Sequence, residues 1–354
     1  MIDKRTPIIY AVNIMQEWME EVMQPKVKIS DVARMAGVSI ATVSRVLNDK
    51  GKVREATRNE VYMAMRKLNY RISDKAERAA VRNILMRVPN IGNPFYSQIL
   101  DGAQDVAGQH GYNVLLMQSQ NKGEHGAEND SLRINVDMFA GMLLLHAVSP
   151  EQLVWYSQIG IPFVQCSEYT EGNDISCVGI DDALAAKKAA EYLISLGRTK
   201  IAFLNSSFIY QYARKREAGF ITALQQAGIP LNPNWVFHFP EVAFDIAFPS
   251  VMQLLQQTEL PDAIFAISDV FAAAAVKAAR RLNIRVPEDL VIVGFDNVEI
   301  SSMVEPSITT INQPRYQLGA LACNMLIERI ENPDVRPQKL MLDTHLIVRE
   351  SSLL

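Results

Sequence analysis

The sequence predicts an α/β protein: a small N-terminal headpiece of three helices built on a helix-turn-helix, then a bilobed core of two doubly wound parallel-sheet lobes. Three observations predict it. Residues 29–48 carry two short helical stretches joined at Gly37, and from Ile84 onward short apolar runs alternate with helical stretches. Charge is also segregated, with 14 Lys/Arg against 6 Asp/Glu in residues 26–83 of a chain whose net charge is -4. The expected divisions are an extension at 1–25, a headpiece at 26–70, a hinge at 71–83 and a core at 84–350.

In the headpiece, Ser30 is expected to cap the first helix, with Val32, Ala33 and Ala36 facing inward. Gly37 supplies the positive φ of a tight turn, and Ser39 caps the second helix. On that helix Val43, Val46 and Leu47 fall on one side and Ile40, Ala41, Ser44 and Arg45 on the other. The second face suits a DNA major groove: Arg45 can pair with guanine O6/N7, and Ile40 or Ala41 can touch thymine methyl groups. A third helix over roughly 54–69 repeats Thr57, Val61, Ala64, Met65 and Leu68 on one face. Thr42, Lys50, Lys52 and Arg58 are placed to meet phosphates.

In the core, strands are expected at 84–88, 112–117, 141–145 and 162–166, then at 201–204, 263–267 and 290–293, with helices between them. Two successive α/β units of this kind imply a cleft between lobes. The chain is 49% hydrophobic and 21% charged, as in ordinary globular proteins, and has no apolar run of membrane-spanning length. Ile8 to Val12 is too short for the apolar segment of a signal peptide. Cys166, Cys177 and Cys323 are odd in number and show no C-x-x-C spacing, which fits a reducing cytoplasm. The five histidines show no metal-ligand spacing, and no nucleophile-elbow, phosphate-loop or dinucleotide motif occurs, so neither a cofactor nor an enzyme is expected.

The strings Asp31-Val32-Ala33, Ala36-Gly37-Val38-Ser39, Thr42-Val43-Ser44-Arg45-Val46 and Leu47-Asn48 resemble the headpiece of the lactose/galactose repressor (LacI/GalR) family. The resemblance continues through Asn93-Pro94-Phe95-Tyr96, Arg216-x-x-Gly219-Phe220, Ser268-Asp269, Gly294-Phe295-Asp296 and Gln313-Pro314 to about residue 350. It implies a core similar to periplasmic sugar-binding proteins. Val88-Pro89-Asn90-Ile91, Gly294-Phe295-Asp296-Asn297 and Gln313-Pro314-Arg315-Tyr316 are most similar to the cytidine-repressor branch of the family.

The family pattern implies DNA contacts from Ser30, Ser39, Ile40, Ala41, Thr42, Ser44, Arg45, Asn48, Arg58, Tyr70 and Ala79. Its hinge normally has Pro-Asn and a wedging leucine where this chain has Ile72-Ser73 and Ala79, so modest DNA bending and steep salt dependence are expected. For the cleft, Asn93, Phe95 and Tyr96 follow the first strand, at the edge where α/β sheets collect ligands. Ser167 and Glu168 follow another strand. Arg216 offers a forked donor, Asp296 a strand-end acceptor, and Ser268 and Asp269 either ligand contact or helix capping; Gln313 stands where the chain should cross back between lobes.

The expected function is a cytoplasmic, homodimeric, sequence-specific transcriptional regulator, a repressor by family pattern. Its partners are a near-palindromic stretch of double-stranded operator DNA and a small polar effector, a sugar or nucleoside, with no membrane. Without an apolar heptad tail before Leu354, a dimer rather than a coiled-coil tetramer is expected. Residues 1–22 match nothing in the family and are either an amphipathic extension or an upstream misassigned start. A solute-binding protein of the same bilobed fold is the alternative, and it would need an export signal and no basic headpiece.

Overall fold

A computed structural model describes residues 29–47, 53–68, 82–119, 136–146, 148–170 and 174–353. It divides into a unit ending at Ala80 and a second unit, Val81–Leu354. In the first, α1 (Ile29–Met35), α2 (Ile40–Leu47) and α3 (Glu55–Lys67) close on a small core of Val32, Ala33, Val43, Val46, Val61, Ala64 and Met65. These are the residues whose spacing marks the inward faces. Gly37 has φ +65°, and the Ser39 hydroxyl accepts from the Thr42 amide at 3.1 Å, the expected turn and cap. Ser30 differs from expectation: it lies in the first turn of α1, after Ile29, rather than ahead of the helix.

The second unit holds two six-stranded sheets. The first lobe orders its strands β11-β5-β4-β3-β1-β2. They are Lys339–Leu342, Cys177–Ile180, Phe163–Cys166, Gly141–Leu144, Asn83–Val88 and Asn113–Gln118, paired in parallel throughout. Its inner strands β3 and β5 are wholly buried, as a sheet covered on both faces requires, whereas edge strand β2 is largely exposed. The second lobe orders β12-β10-β9-β8-β6-β7, that is His345–Ile347, Thr309–Asn312, Val291–Asp296, Ala263–Ala266, Ile201–Ser206 and Val236–Phe239; only β12 runs antiparallel.

Four helices set the cleft geometry: α4 (Phe95–Gln109) in the first lobe, and α6 (Asp182–Ser195), α7 (Gln211–Gln226) and α9 (Asp269–Arg281) in the second, while α5 (Pro150–Gln158) covers the other face of the first sheet. Past α8 (Phe244–Leu254) and the short α10 (Ile300–Met303), α11 (Arg315–Glu331) leaves the second lobe after β10 and packs on α4 in the first. The lobes are therefore not successive segments, as the strand rhythm alone implies. The chain crosses after β5, again at Gln313-Pro314, where a return is expected, and a third time between β11 and β12. Each crossing is a strand-end junction about which the lobes can pivot.

Candidate functional site

The core's candidate site is a cleft at the carboxyl ends of the strands, with about 370 Å³ of empty space, part of it open to solvent. The first lobe contributes Asn93, Phe95, Tyr96, Leu145, Ser167 and Glu168; the second contributes Tyr212, Arg216, Val242, Ile267, Ser268 and Asp296. Eight of the ten residues singled out from sequence thus meet around one space.

Arg216 organises the second lobe's wall. Its Nε donates to Asp182 Oδ1 at 2.8 Å, its Nη1 donates to the Ile267 carbonyl at 2.8 Å, and the same Nη1 lies 3.6 Å from Asp296 Oδ1. Beneath it the Phe295 ring centroid is 3.7 Å from the guanidinium carbon, with Tyr212 at 4.9 Å on its own helix. Burial works against the charge on Arg216, yet Asp182 and Asp296 outweigh it and raise its pKa. Burial likewise pushes Asp182 and Asp296 upward, opposed by Arg216. The site therefore presents a compensated ion cluster rather than a free cation. Asp296 also accepts from Gln313 Nε2 at 2.7 Å and sits at φ +100°, a conformation that aspartate rarely holds without surrounding constraint.

Asp269 and Gln313 do not line the cleft. Asp269 is fully buried, and its oxygens accept from the Val298 amide at 2.8 Å and the Thr310 hydroxyl at 2.6 Å, so the carboxylate ties β10 and the segment that follows β9 to α9. Gln313 acts on the cleft through Asp296. Sequence reading misses Tyr212 and Asp182: Tyr212 lies on a helix away from any strand end, and Asp182 follows β5, a strand the apolar pattern does not reveal, and meets a partner 34 positions on.

Among the described residues, side chains bridge the lobes at three points, one of them Lys215 Nζ donating to the Tyr169 hydroxyl at 3.0 Å. Arg315 donates to the Asn297 carbonyl at 2.8 Å in the second lobe and to the Pro94 carbonyl at 3.4 Å in the first. Glu168, at the end of a first-lobe strand, accepts from the Gln211 amide at 2.6 Å and the Tyr212 amide at 3.4 Å, the first two amides of α7. Burial raises the Glu168 carboxyl to about 7 despite those amides. Tyr96, Tyr210 and Tyr212 face it, with Asp182 and Arg214 nearby.

A pH effect follows. Between the ordinary glutamate pKa and about 7, the folded chain binds more protons at Glu168 than the unfolded chain, so this group's contribution to stability falls as pH rises through that window. Glu168→Gln should flatten the pH dependence, gaining on the wild type by up to about 3 kcal/mol between roughly pH 5 and pH 8. Urea denaturation of both chains across this range checks it, and parallel profiles would refute it.

In the headpiece, Ile40, Ala41 and Arg45 are exposed on α2, Ile40 at 51%, opposite buried Val43 and Val46. Ser39 and Thr42 share a hydroxyl contact of 2.9 Å at the start of the helix. Ser30 is exposed, while Ser44 and Arg58 are half-buried. Asn48, Tyr70 and Ala79, the lysines at 50 and 52, the extension at 1–25 and the hinge up to residue 81 lie outside the described residues. No metal-holding cluster and no helix long and apolar enough to cross a membrane occur among the described residues.

Comparison with known proteins follows this division. Residues 28–73 match the model of bacterial regulatory proteins of the lacI family, and residues 190–352 match a periplasmic binding protein-like domain. The chain is 33% identical over 333 residues to the HTH-type transcriptional repressor CytR of Escherichia coli (strain K12), covering 92% of this chain and 96% of that protein. Among solved structures it is similar to a complex of the transcriptional regulator CelR with cellobiose, with a TM-score of 0.70 and 28% identity over 93% of this chain and 100% of that one. The lac repressor dimer bound to operator and the anti-inducer ONPF gives a TM-score of 0.69 and 25% identity over the same shares.

Proposed function

The chain belongs to the lacI family of bacterial regulatory proteins, and we propose that it is a non-enzymatic repressor, acting in the cytoplasm as a homodimer. It is a DNA-binding transcriptional regulator with a small-molecule effector. One headpiece reads half a site, so two of them read a near-palindromic operator. On α2, Arg45, Ile40 and Ala41 read bases, while Ser39, Thr42, Ser44, Arg58 and Ser30 position the phosphate backbone; Asn48, Tyr70 and Ala79 complete the proposed contacts.

The effector, a sugar or nucleoside, sits in the interlobe cleft, between the aromatic wall of Phe95 and Tyr96 and the polar wall of Arg216 and Asp296. The observation that carries this reading is the buried cluster of Arg216, Asp182 and Asp296 opening onto a cleft bridged by Glu168, in a chain whose headpiece exposes a DNA-reading face. Ligand that prefers one setting of the lobes shifts the population of that setting and with it the operator affinity. The basic headpiece, matched over residues 28–73, argues against a solute-binding protein without a DNA role.

The test begins with an operator selected from a random duplex library. Arg45→Ala should weaken binding to it by about 1–3 kcal/mol in fluorescence anisotropy and barely change binding to unselected DNA. Equal losses on both DNAs would remove Arg45 from base reading.

A further inference from the structure

Helix N-termini are ready-made anion sites, because their first amides have no partner within the helix and the dipole favours negative charge. Three such termini meet at this cleft, and the protein fills each with its own acceptor. At α4 the Asn93 Oδ1 accepts from the Phe95 amide at 3.0 Å. At α7 the carboxylate of Glu168, reaching from the opposite lobe, accepts from Gln211 and Tyr212. At α9 the Ser268 hydroxyl accepts from the Val270 amide at 3.3 Å.

The side-chain charges point the same way. Arg216, the cleft's lining cation, is 2.8 Å from one buried carboxylate and 3.6 Å from a second. Arg315, the nearest other buried cation, is spent on two carbonyls, and Asp269 and Asp296 lie close to it. Glu168 adds a further acidic group on the cleft wall, so the surroundings hold more carboxylates than guanidinium groups. Among the described residues that line this space, a phosphate would find no cation beyond the compensated Arg216 and no uncapped helix terminus, and it would face carboxylates across a low-dielectric gap.

Building on the reading of the cleft as the effector site, we propose that it selects an uncharged polyhydroxyl ligand and rejects the phosphate monoester of the same ligand. Glu168 occupies the place where an ester phosphate would otherwise be held. Neutral hydroxyls, by contrast, can donate to Asp296 and accept from Arg216 without disturbing the charge balance. In the cell, this cleft would report an imported or dephosphorylated compound, and a kinase acting on that compound would remove the signal.

The experiment pairs neutral compounds with their phosphate esters at either end: ribose with ribose 1-phosphate and ribose 5-phosphate, and ribonucleosides with their 5′-monophosphates. Calorimetric titration of the full chain at about pH 8, where Glu168 is ionised, reads the affinities. Binding of a neutral member with both esters weaker by about tenfold or more supports the proposal, as does a narrowing of that gap in Glu168→Gln. An ester that binds as well as its parent overturns the proposal while leaving the cleft as the effector site. If no compound binds, and thermal shifts with hexoses and disaccharides are also flat, the effector-site reading itself falls and the proposal falls with it. Inorganic phosphate at matched ionic strength should leave the melting temperature of the wild type unchanged; stabilisation by phosphate that Arg216→Lys abolishes would also overturn the proposal.

Discussion

Arg216→Ala should lower the unfolding free energy of the chain by about 3–5 kcal/mol and abolish the effector's influence on operator binding. The guanidinium is only 5% exposed and sits between Asp182 and Asp296, themselves 2% and 5% exposed. Removing it strands two buried carboxylates and opens a cavity above Phe295, and both losses act in the same direction. A forked donor that served only as a ligand hook could be lost with the rest of the protein intact. The ion cluster makes it a structural element as well. Arg216→Lys separates the roles: it keeps a charge between the carboxylates and loses the fork, so it should recover part of the stability and little of the effector response. Urea denaturation and operator anisotropy with and without effector measure both. A loss of stability below about 1 kcal/mol in Arg216→Ala would show that the cluster contributes little to the fold.

Where the physics is local, the sequence was readable. Gly37, Ser39 and the apolar spacing of Val43, Val46, Val61 and Met65 act within one or two turns, and the headpiece core has these residues where the spacing puts them. Most central strands are equally plain, because a strand buried on both faces is an unbroken apolar run, but the interior strands β5, Cys-Val-Gly-Ile, and β10, Thr-Thr-Ile-Asn, are short, interrupted runs and escape that reading. Legibility ends where a residue's role depends on distant chain. Strand β7, Val-Phe-His-Phe, has neither alternation nor an apolar run, and Pro249 inside α8 argues against a helix that tertiary packing nevertheless supports. Asp182 reads as an ordinary first-turn acid until α7 brings Arg216 against it. Asp269, with the same strand-end position that marks Asp296, is turned away from the cleft because Val298 and Thr310 take its oxygens. Among the strand-end acids, the family resemblance favours Asp296 as the cleft acceptor, but the sequence leaves Asp269 between ligand contact and capping, and only the packing of Val298 and Thr310 shows it turned inward.

Gly319→Ala should destabilise the chain by about 3 kcal/mol, although alanine is the better helix former by about 1 kcal/mol. The reason is the crossing of α4 and α11, where each helix presents a glycine to the other's backbone. A Cβ on Gly319 would lie 1.9 Å from the Ile99 carbonyl oxygen, and one on Gly102 would lie 2.1 Å from that of Tyr316. Backbone cannot rotate away as a side chain can, so the helices must separate. Helix α11 begins at Arg315, beside the Gln313 that donates to Asp296, and Arg315 bridges Pro94 and Asn297 across the lobes. Separation at Gly319 is therefore transmitted to the cleft, and effector affinity should fall together with stability. Gly108→Ala, on the same α4, is the control: its added Cβ meets nothing within 4 Å, so helix propensity alone acts and stability should rise slightly. Denaturation midpoints of the two variants decide the matter. If Gly319→Ala were as stable as Gly108→Ala, the helices would have room to spare, and the close crossing could not be what sets the position of Arg315 between the lobes.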